Sequence, residues 1–212
     1  MGKEHLIFIG APGSGKGTQA SRLMMEQNYI HLSTGDLLRK EITKESILGK
    51  QVKAILESGS LVNDDLMIEL IKSSCDLNKN ACIFDGYPRN LEQAKTLDKE
   101  ILQGKKYKAV FFEVKPDDLV ERLVNRRVCS GCQRTYNLVS LPPMQEGICD
   151  TCQGRLYQRE DDKEEVIRKR LDIFNEKIAG MLSFYKEKGL LERLDAFLGV
   201  NEVSAKLAEI LT

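Results

Sequence analysis

Leu6-Ile7-Phe8-Ile9-Gly10-Ala11-Pro12-Gly13-Ser14-Gly15-Lys16-Gly17-Thr18 decides how this 212-residue chain folds. Four apolar residues halted by glycine read as a strand buried on both faces. Beyond the glycines, Ala20, Leu23 and Met24 recur at helical spacing. A loop that wraps phosphate needs glycine because its N–H groups must point inward and some of the required φ/ψ values exclude a Cβ. The helix that follows adds its dipole and its unpaired amides. Gly13, Ser14, Gly15 and Gly17 would supply the cradle, Lys16 a mobile positive charge for the β/γ-phosphates, and Thr18 a hydroxyl near Mg²⁺. The match to G-x-x-x-x-G-K-[ST] is imperfect, because Gly17 stands where Ser or Thr is usual and the hydroxyl arrives one residue late.

Working outward, similar short apolar runs recur at Ala81-Cys82-Ile83-Phe84 and Ala109-Val110-Phe111-Phe112, with a weaker one over 190–194. Helix-length segments lie over 36–58, 64–75, 90–102, 117–126 and 163–186, and a terminal helix over 201–211. Strands alternating with helices predict an α/β fold, a parallel sheet wrapped on both faces. In the longest helix Ile167, Leu171, Phe174, Ile178, Met181 or Leu182, and Tyr185 step by three or four, which is a core stripe. Residues 127–160 break the pattern with four cysteines, Gly131, Pro142, Pro143, Gly147 and Gly154, and no helical period, as an inserted minidomain would.

Apolar residues at 42% can fill a core, and charged residues at 30% suit a soluble surface. Lys plus Arg equals Asp plus Glu at 32 each, so no bulk field draws the chain to nucleic acid or anionic lipid, and any anion site must be local. The start, Met1-Gly2-Lys3-Glu4-His5, offers neither a secretion signal nor a membrane span, so a cytoplasmic protein is expected.

Cys129-Ser130-Gly131-Cys132 and Cys149-Asp150-Thr151-Cys152 form two tight pairs with residues 133–148 between them. Each pair can grip one side of a tetrahedral ion, and the spacing fits a closed four-cysteine structural zinc site. Iron–sulfur ligation or two disulfides would use the same residues. Cys75 and Cys82 are expected to pack as small hydrophobes. His5 and His31, the two histidines, belong to no cysteine pair or ligand-spaced motif and are expected at strand edges or in packing. The run Glu160-Asp161-Asp162-Lys163-Glu164-Glu165 is expected to complement a helix dipole, with Asp161 and Asp162 reaching toward the minidomain.

The loop form G-x-P-G-x-G-K-G-T resembles adenylate kinases and their close relatives, the zinc-binding, long-lid bacterial type in particular. Four further segments carry the resemblance over nearly the whole chain: Ser33-Thr34-Gly35-Asp36-Leu37-Leu38-Arg39; Ser60-Leu61-Val62 followed by Asp64; Phe84-Asp85-Gly86-Tyr87-Pro88-Arg89 with Gln93; and the arginines Arg122, Arg126 and Arg127 entering the insert, with Arg159-Glu160-Asp161-Asp162 and Arg168-Lys169-Arg170 leaving it. The resemblance implies a P-loop, five-stranded parallel sheet flanked by helices. Its core would be 1–32, 63–124 and 163–212, its helical monophosphate-binding arm 33–62, and its small zinc-binding β lid 125–162.

It also implies Mg²⁺-dependent transfer between ATP and AMP, giving two ADP, by a monomer. Arg39 and Arg89 would hold the acceptor phosphate. Thr34 and Gln93 would read the acceptor base, with Ser60, Leu61, Val62, Gly86, Tyr87 and Pro88 lining its berth. Arg126, Thr135, Tyr136 and Leu198 would meet the donor nucleotide. Arg159 and Arg170 would stabilise the group in flight, and Asp85 would serve Mg²⁺ through water. Physics requires such a set independently: like-charged phosphates brought together need fixed cations, and planar guanidinium forks suit them. The alternatives are a kinase of the same fold acting on GMP, UMP or CMP, or using GTP, and, more remotely, a zinc-ribbon nucleic-acid-binding ATPase. The latter wants a basic, aromatic-rich surface, and this chain is neutral and lacks Trp.

Overall fold

The computed structural model describes residues 3–44, 47–57, 62–115 and 117–211. Strand β1 (His5–Gly10) runs into the glycine loop and helix α1 (Lys16–Gln27). Strand β2 (Ile30–Ser33) follows, then helices α2 (Thr34–Thr43), α3 (Ile47–Glu57) and α4 (Asp64–Ser74). Strand β3 (Cys82–Asp85) leads to helix α5 (Leu91–Thr96), a π-helical segment (Leu97–Leu102), strand β4 (Tyr107–Glu113) and helix α6 (Asp117–Val124). Three short strands, β5 (Arg126–Cys129), β6 (Thr135–Asn137) and β7 (Leu156–Tyr157), precede a 3₁₀ turn (Glu160–Asp162) and the long helix α7 (Glu164–Glu187). Strand β8 (Leu191–Asp195) and helix α8 (Val200–Leu211) complete the chain.

The main sheet has the order β2-β3-β1-β4-β8, and every pair is parallel. Alternation along the strands divides its two faces. Ile7, Ile9, Phe84 and Ala109 pack on one side with Leu97, Met181 and Tyr185. Leu6, Phe8, Ile83 and Val110 pack on the other with Ala20, Leu23 and Leu207. Because the strands are parallel, β1, β2 and β3 all deliver their carboxyl ends to one edge, where ligands of open α/β sheets bind. The glycine loop, Ser33-Thr34 and Asp85-Gly86 therefore emerge side by side. A separate antiparallel sheet, β6-β5-β7, holds the cysteine-bearing insert together.

Several elements depart from the sequence expectation. Strand β2 has no counterpart among the apolar runs of the sequence because Ile30-His31-Leu32-Ser33 is short and half polar, as an edge strand paired to β3 can be. The helix expected over 36–58 is two: a Cβ on Gly49 would lie 2.7 Å from the Glu41 carbonyl oxygen, so α3 packs backbone-close on α2. The end of the 90–102 helix widens into the π segment. There Asp98 accepts from the Tyr107 hydroxyl at 2.7 Å and from Lys188 Nζ at 2.7 Å. On α1, Met24 is exposed and Gln19 is buried instead, its amide donating to the Val200 carbonyl at 2.9 Å. Cys82 is fully buried in β3 and Cys75 half-buried, their sulfurs 2.7 Å apart.

Candidate active site and metal centre

The glycine loop has the backbone its sequence requires. Gly13 and Gly15 sit at φ +84° and +90°, and Gly15 caps α1 in the left-handed region. Gly10 is needed for closeness: a Cβ there would lie 2.7 Å from Ser14 Oγ and 2.9 Å from the Phe112 carbonyl oxygen. Lys16 Nζ donates to the carbonyls of Gly10 (2.7 Å) and Ala11 (2.9 Å) and to Ser14 Oγ (3.2 Å). Burial, with the like charges of Arg89, Arg170 and Arg126, pushes the Lys16 ammonium down to about 8 against the pull of Asp85. Thr18 lies in the first turn of α1.

Asp85 ends β3 with its carboxylate under the loop. A Cβ on Gly17 would stand 3.5 Å from Asp85 Oδ2, which sets the carboxylate within van der Waals reach of the start of α1. His31 Nε2 lies 3.1 Å from the same oxygen. Burial raises the Asp85 carboxyl, but the His31 hydrogen bond and the Lys16 charge outweigh it and hold the group below the usual carboxylate range. His31 thus sits on an edge strand, as expected, and its contact with Asp85 adds it to this site. Asp85 lies 54 residues away, and no local pattern announces the pair.

The arginines converge. Lys16 feels the charges of Arg89, Arg170 and Arg126; Arg89 feels Arg170 and Arg39; Arg159 feels Arg39 and Arg126. Burial and this mutual repulsion push Arg89 and Arg159 each down to about 10. Carboxylates brace the cluster. Asp162, fully buried, takes Arg126 through both oxygens, at 2.8 Å from Nε and 2.5 Å from NH2. Asp161 Oδ2 lies 2.9 Å from Arg170 NH1. The acidic run 160–165 is thus divided: Glu164 and Glu165 open α7, and Asp161 and Asp162 anchor arginines. Asp36, given no role by its sequence position, contacts Arg39 at 2.5 Å and Arg159 at 3.6 Å. Arg39 Nε and Arg159 Nε are buried without a hydrogen-bond partner among the described residues. Two buried guanidinium N–H groups of this kind ask for an anion.

Beside the cluster, a cavity is lined by Thr34, Leu38, Val62, Met67 and Gln93, among others, and reaches Gly86, Tyr87 and Arg89. Gly86 sits at φ +83°, and a Cβ there would fall 2.7 Å from Thr34 Oγ1. Pro88 follows through a cis Tyr87–Pro88 peptide, and Arg89 Nε donates back to the Gly86 carbonyl at 2.7 Å. Ser60 and Leu61 lie outside the described residues. At the other end, Arg122 NH1 reaches the Ala196 carbonyl at 3.4 Å, and Leu198 is half-buried nearby against the β8–α8 core.

In the insert, the sulfurs of Cys129, Cys132, Cys149 and Cys152 all lie within 4.8 Å of one another. The Gly131 and Thr151 amides donate to the sulfurs of Cys129 and Cys149 at 3.3 and 3.4 Å. Gly154 has to be glycine, since a Cβ there would sit 2.8 Å from Cys129 Sγ. Four thiols so gathered, with amides aimed at two of them, suit a tetrahedral thiophilic ion. Thr135 and Tyr136 lie on β6, but the Tyr136 ring is buried against this cluster. Its hydroxyl lies 3.3 Å from Cys149 Sγ and accepts the Asp150 amide at 2.9 Å. The Tyr136 side chain thus packs on the cysteines.

A glycine loop at the edge of a parallel sheet, facing buried arginines with unpartnered donors and a second cleft, defines a P-loop phosphotransferase. The family model of adenylate kinases matches residues 8–190. The chain is 43% identical to the adenylate kinase of Thermosipho africanus over 98% of this chain and 99% of that one. It is 44% identical to that of Thermotoga maritima (98% and 96% covered) and 41% identical to that of Caldicellulosiruptor bescii (97% and 96%). The chain belongs to the adenylate kinase family, whose members transfer phosphoryl groups between ATP and AMP. No helix among the described residues is long and apolar enough to cross a membrane.

Proposed function

We propose that this chain interconverts ATP plus AMP and two ADP, with the glycine loop holding the donor phosphates and the Thr34–Gln93 cavity the acceptor nucleoside. One observation carries the proposal: Lys16 and five arginines from distant segments meet between the two clefts, with Arg39 Nε and Arg159 Nε buried and unpartnered. In this reading Arg39 and Arg89 orient the acceptor phosphate, Arg126 the donor, and Arg159 and Arg170 the group in transfer. The attacking oxygen is already an anionic phosphate, so no general base is needed. Asp85 and Thr18 would hold magnesium, which would supply positive charge against the donor phosphates. The four cysteines would hold zinc, a closed shell that supplies folding energy to the insert.

The chain then divides into a core (1–32, 63–124, 163–212), an arm (33–62) and a lid (125–162). The lid excludes the water that would compete as acceptor. Contacts between α3 and the Glu160–Asp162 turn, and Asp36 bridging Arg39 to Arg159, support an arm and lid that close on one another. A coupled assay of ATP with each nucleoside monophosphate tests the reading. AMP should be the fastest acceptor, and rapid turnover of UMP with silence on AMP would overturn it.

A pH dependence follows from Lys16. Its ammonium, held down to about 8, loses its proton as pH rises through that value, and a bound phosphate favours the charged form. Binding of a non-hydrolysable triphosphate analogue should therefore take up a proton above about pH 8 and weaken by up to about tenfold per pH unit. Titration calorimetry in buffers of different ionisation enthalpy reads both effects. Constant affinity to about pH 9.5 would exclude Lys16 as the responsible group.

A further inference from the structure

The cavity beside the arginines contains a side-chain amide whose orientation is imposed from two sides. Gln93 is buried in the first turn of α5. Its Oε1 accepts the Arg89 backbone N–H at 2.7 Å, and its Nε2 donates to Asp64 Oδ1 at 2.5 Å. Neither partner can serve the opposite role. A backbone N–H only donates, and a carboxylate only accepts. Turning the amide over would set its oxygen against the Asp64 carboxylate and its NH₂ against the Arg89 N–H, replacing two hydrogen bonds by two repulsions. The oxygen end and the nitrogen end of Gln93 are therefore assigned by chemistry.

What is left for a ligand is one N–H on Nε2 and one lone pair on Oε1. The 6-amino edge of adenine offers an acceptor ring nitrogen next to an exocyclic donor. A lactam edge, as in hypoxanthine, guanine or uracil, offers a ring N–H next to a carbonyl oxygen, the same pair reversed. An amide free to rotate could read either edge. A fixed one reads one of them and meets the other with donor against donor. A site that leaves buried polar groups mismatched in this way discriminates far more strongly than an apolar slot.

We infer that Asp64, on the first turn of α4, is a specificity-determining positioning residue: by holding Gln93 Nε2 it sets the amide to accept a 6-aminopurine and reject its lactam counterpart. The inference rests on reading this cavity as the acceptor-nucleoside site. Asp64 needs no contact with the nucleotide. Its effect passes through Gln93, and the Arg89 amide supplies the second restraint.

The test compares AMP with IMP, which differ only at the purine edge in question, as acceptors at saturating ATP. Wild type, Asp64→Ala, Asp64→Asn and Asp64→Glu are measured, with thermal unfolding of each. In Asp64→Ala the ratio of kcat/KM for AMP over IMP should fall about tenfold, by loss on AMP and gain on IMP. Asp64→Asn should fall at least as far, because its own amide can donate to a reversed Gln93, and Asp64→Glu should recover part of the ratio. A merely structural role for Asp64 would lower both substrates together and leave the ratio unmoved. An unchanged ratio in a folded Asp64→Asn protein overturns the inference, and this near-isosteric variant decides the matter if Asp64→Ala fails to fold. Wild type silent on AMP would overturn the acceptor reading itself, and the role of Asp64 with it.

Discussion

Replacing Lys16 by alanine should lower turnover by about two to three orders of magnitude while leaving the fold intact, as expected when one preorganised charge is removed from a transition state. Lys16 Nζ rests on the carbonyls of Gly10 and Ala11 and on Ser14 Oγ, within the loop itself. Truncation removes a charge that the buried site destabilises, so the native state should lose little. The transition state spreads negative charge over the transferring oxygens, and there the charge counts most. Single-turnover kinetics with ATP and AMP, beside circular dichroism, separate the two effects. Near-normal turnover would remove Lys16 from the mechanism, and an equal loss in affinity and stability would make it a structural residue.

The second large effect is expected in the insert. Cys149→Ser should abolish stoichiometric metal, lower the unfolding temperature by about 6–12 °C and leave residual activity. The three short strands β5, β6 and β7 have a small core, Cys129, Tyr136 and Cys149 with Leu156 packed against them and Val128 buried on β5. So small a core cannot order the segment alone, and metal binding would supply the difference. A loss of about 3 kcal/mol in a chain of this size corresponds to that temperature shift. Cys149 is the informative position because it is fully buried and has the Tyr136 hydroxyl against its sulfur. Metal analysis of protein purified without added zinc gives the direct check. If the wild type carries none and Cys149→Ser unfolds at the same temperature, the four cysteines are not a structural metal centre.

Particular residues separate what the linear order shows from what it hides. The glycine loop and the cysteine pairs were legible because their chemistry is local. Backbone amides must turn inward within a few residues, and two thiols three positions apart grip one ion. Strand β2 was not legible, because an edge strand can be short and half polar when one neighbour supplies all its hydrogen bonds. The place of His31 at a strand edge is legible, but its partner is not, because Asp85 comes from a different strand aligned with β2 only by sheet register. The resemblance implies a donor-site role for Tyr136; that its ring also packs beside the cysteine sulfurs is a contact that no spacing along the chain announces.

The sequence alone determined that a phosphate cradle follows the first strand, that helices alternate with parallel strands and that the insert gathers thiols, because each is written in a period or a spacing along the chain. Tertiary structure alone decided which carboxylate braces which arginine, that Asp36 spans Arg39 and Arg159, and that Asp64 and the Arg89 amide hold Gln93 one way round. Those contacts join residues brought together by sheet order and helix packing. Charge and hydrogen-bond complementarity act through space, so no distance along the chain could have announced them.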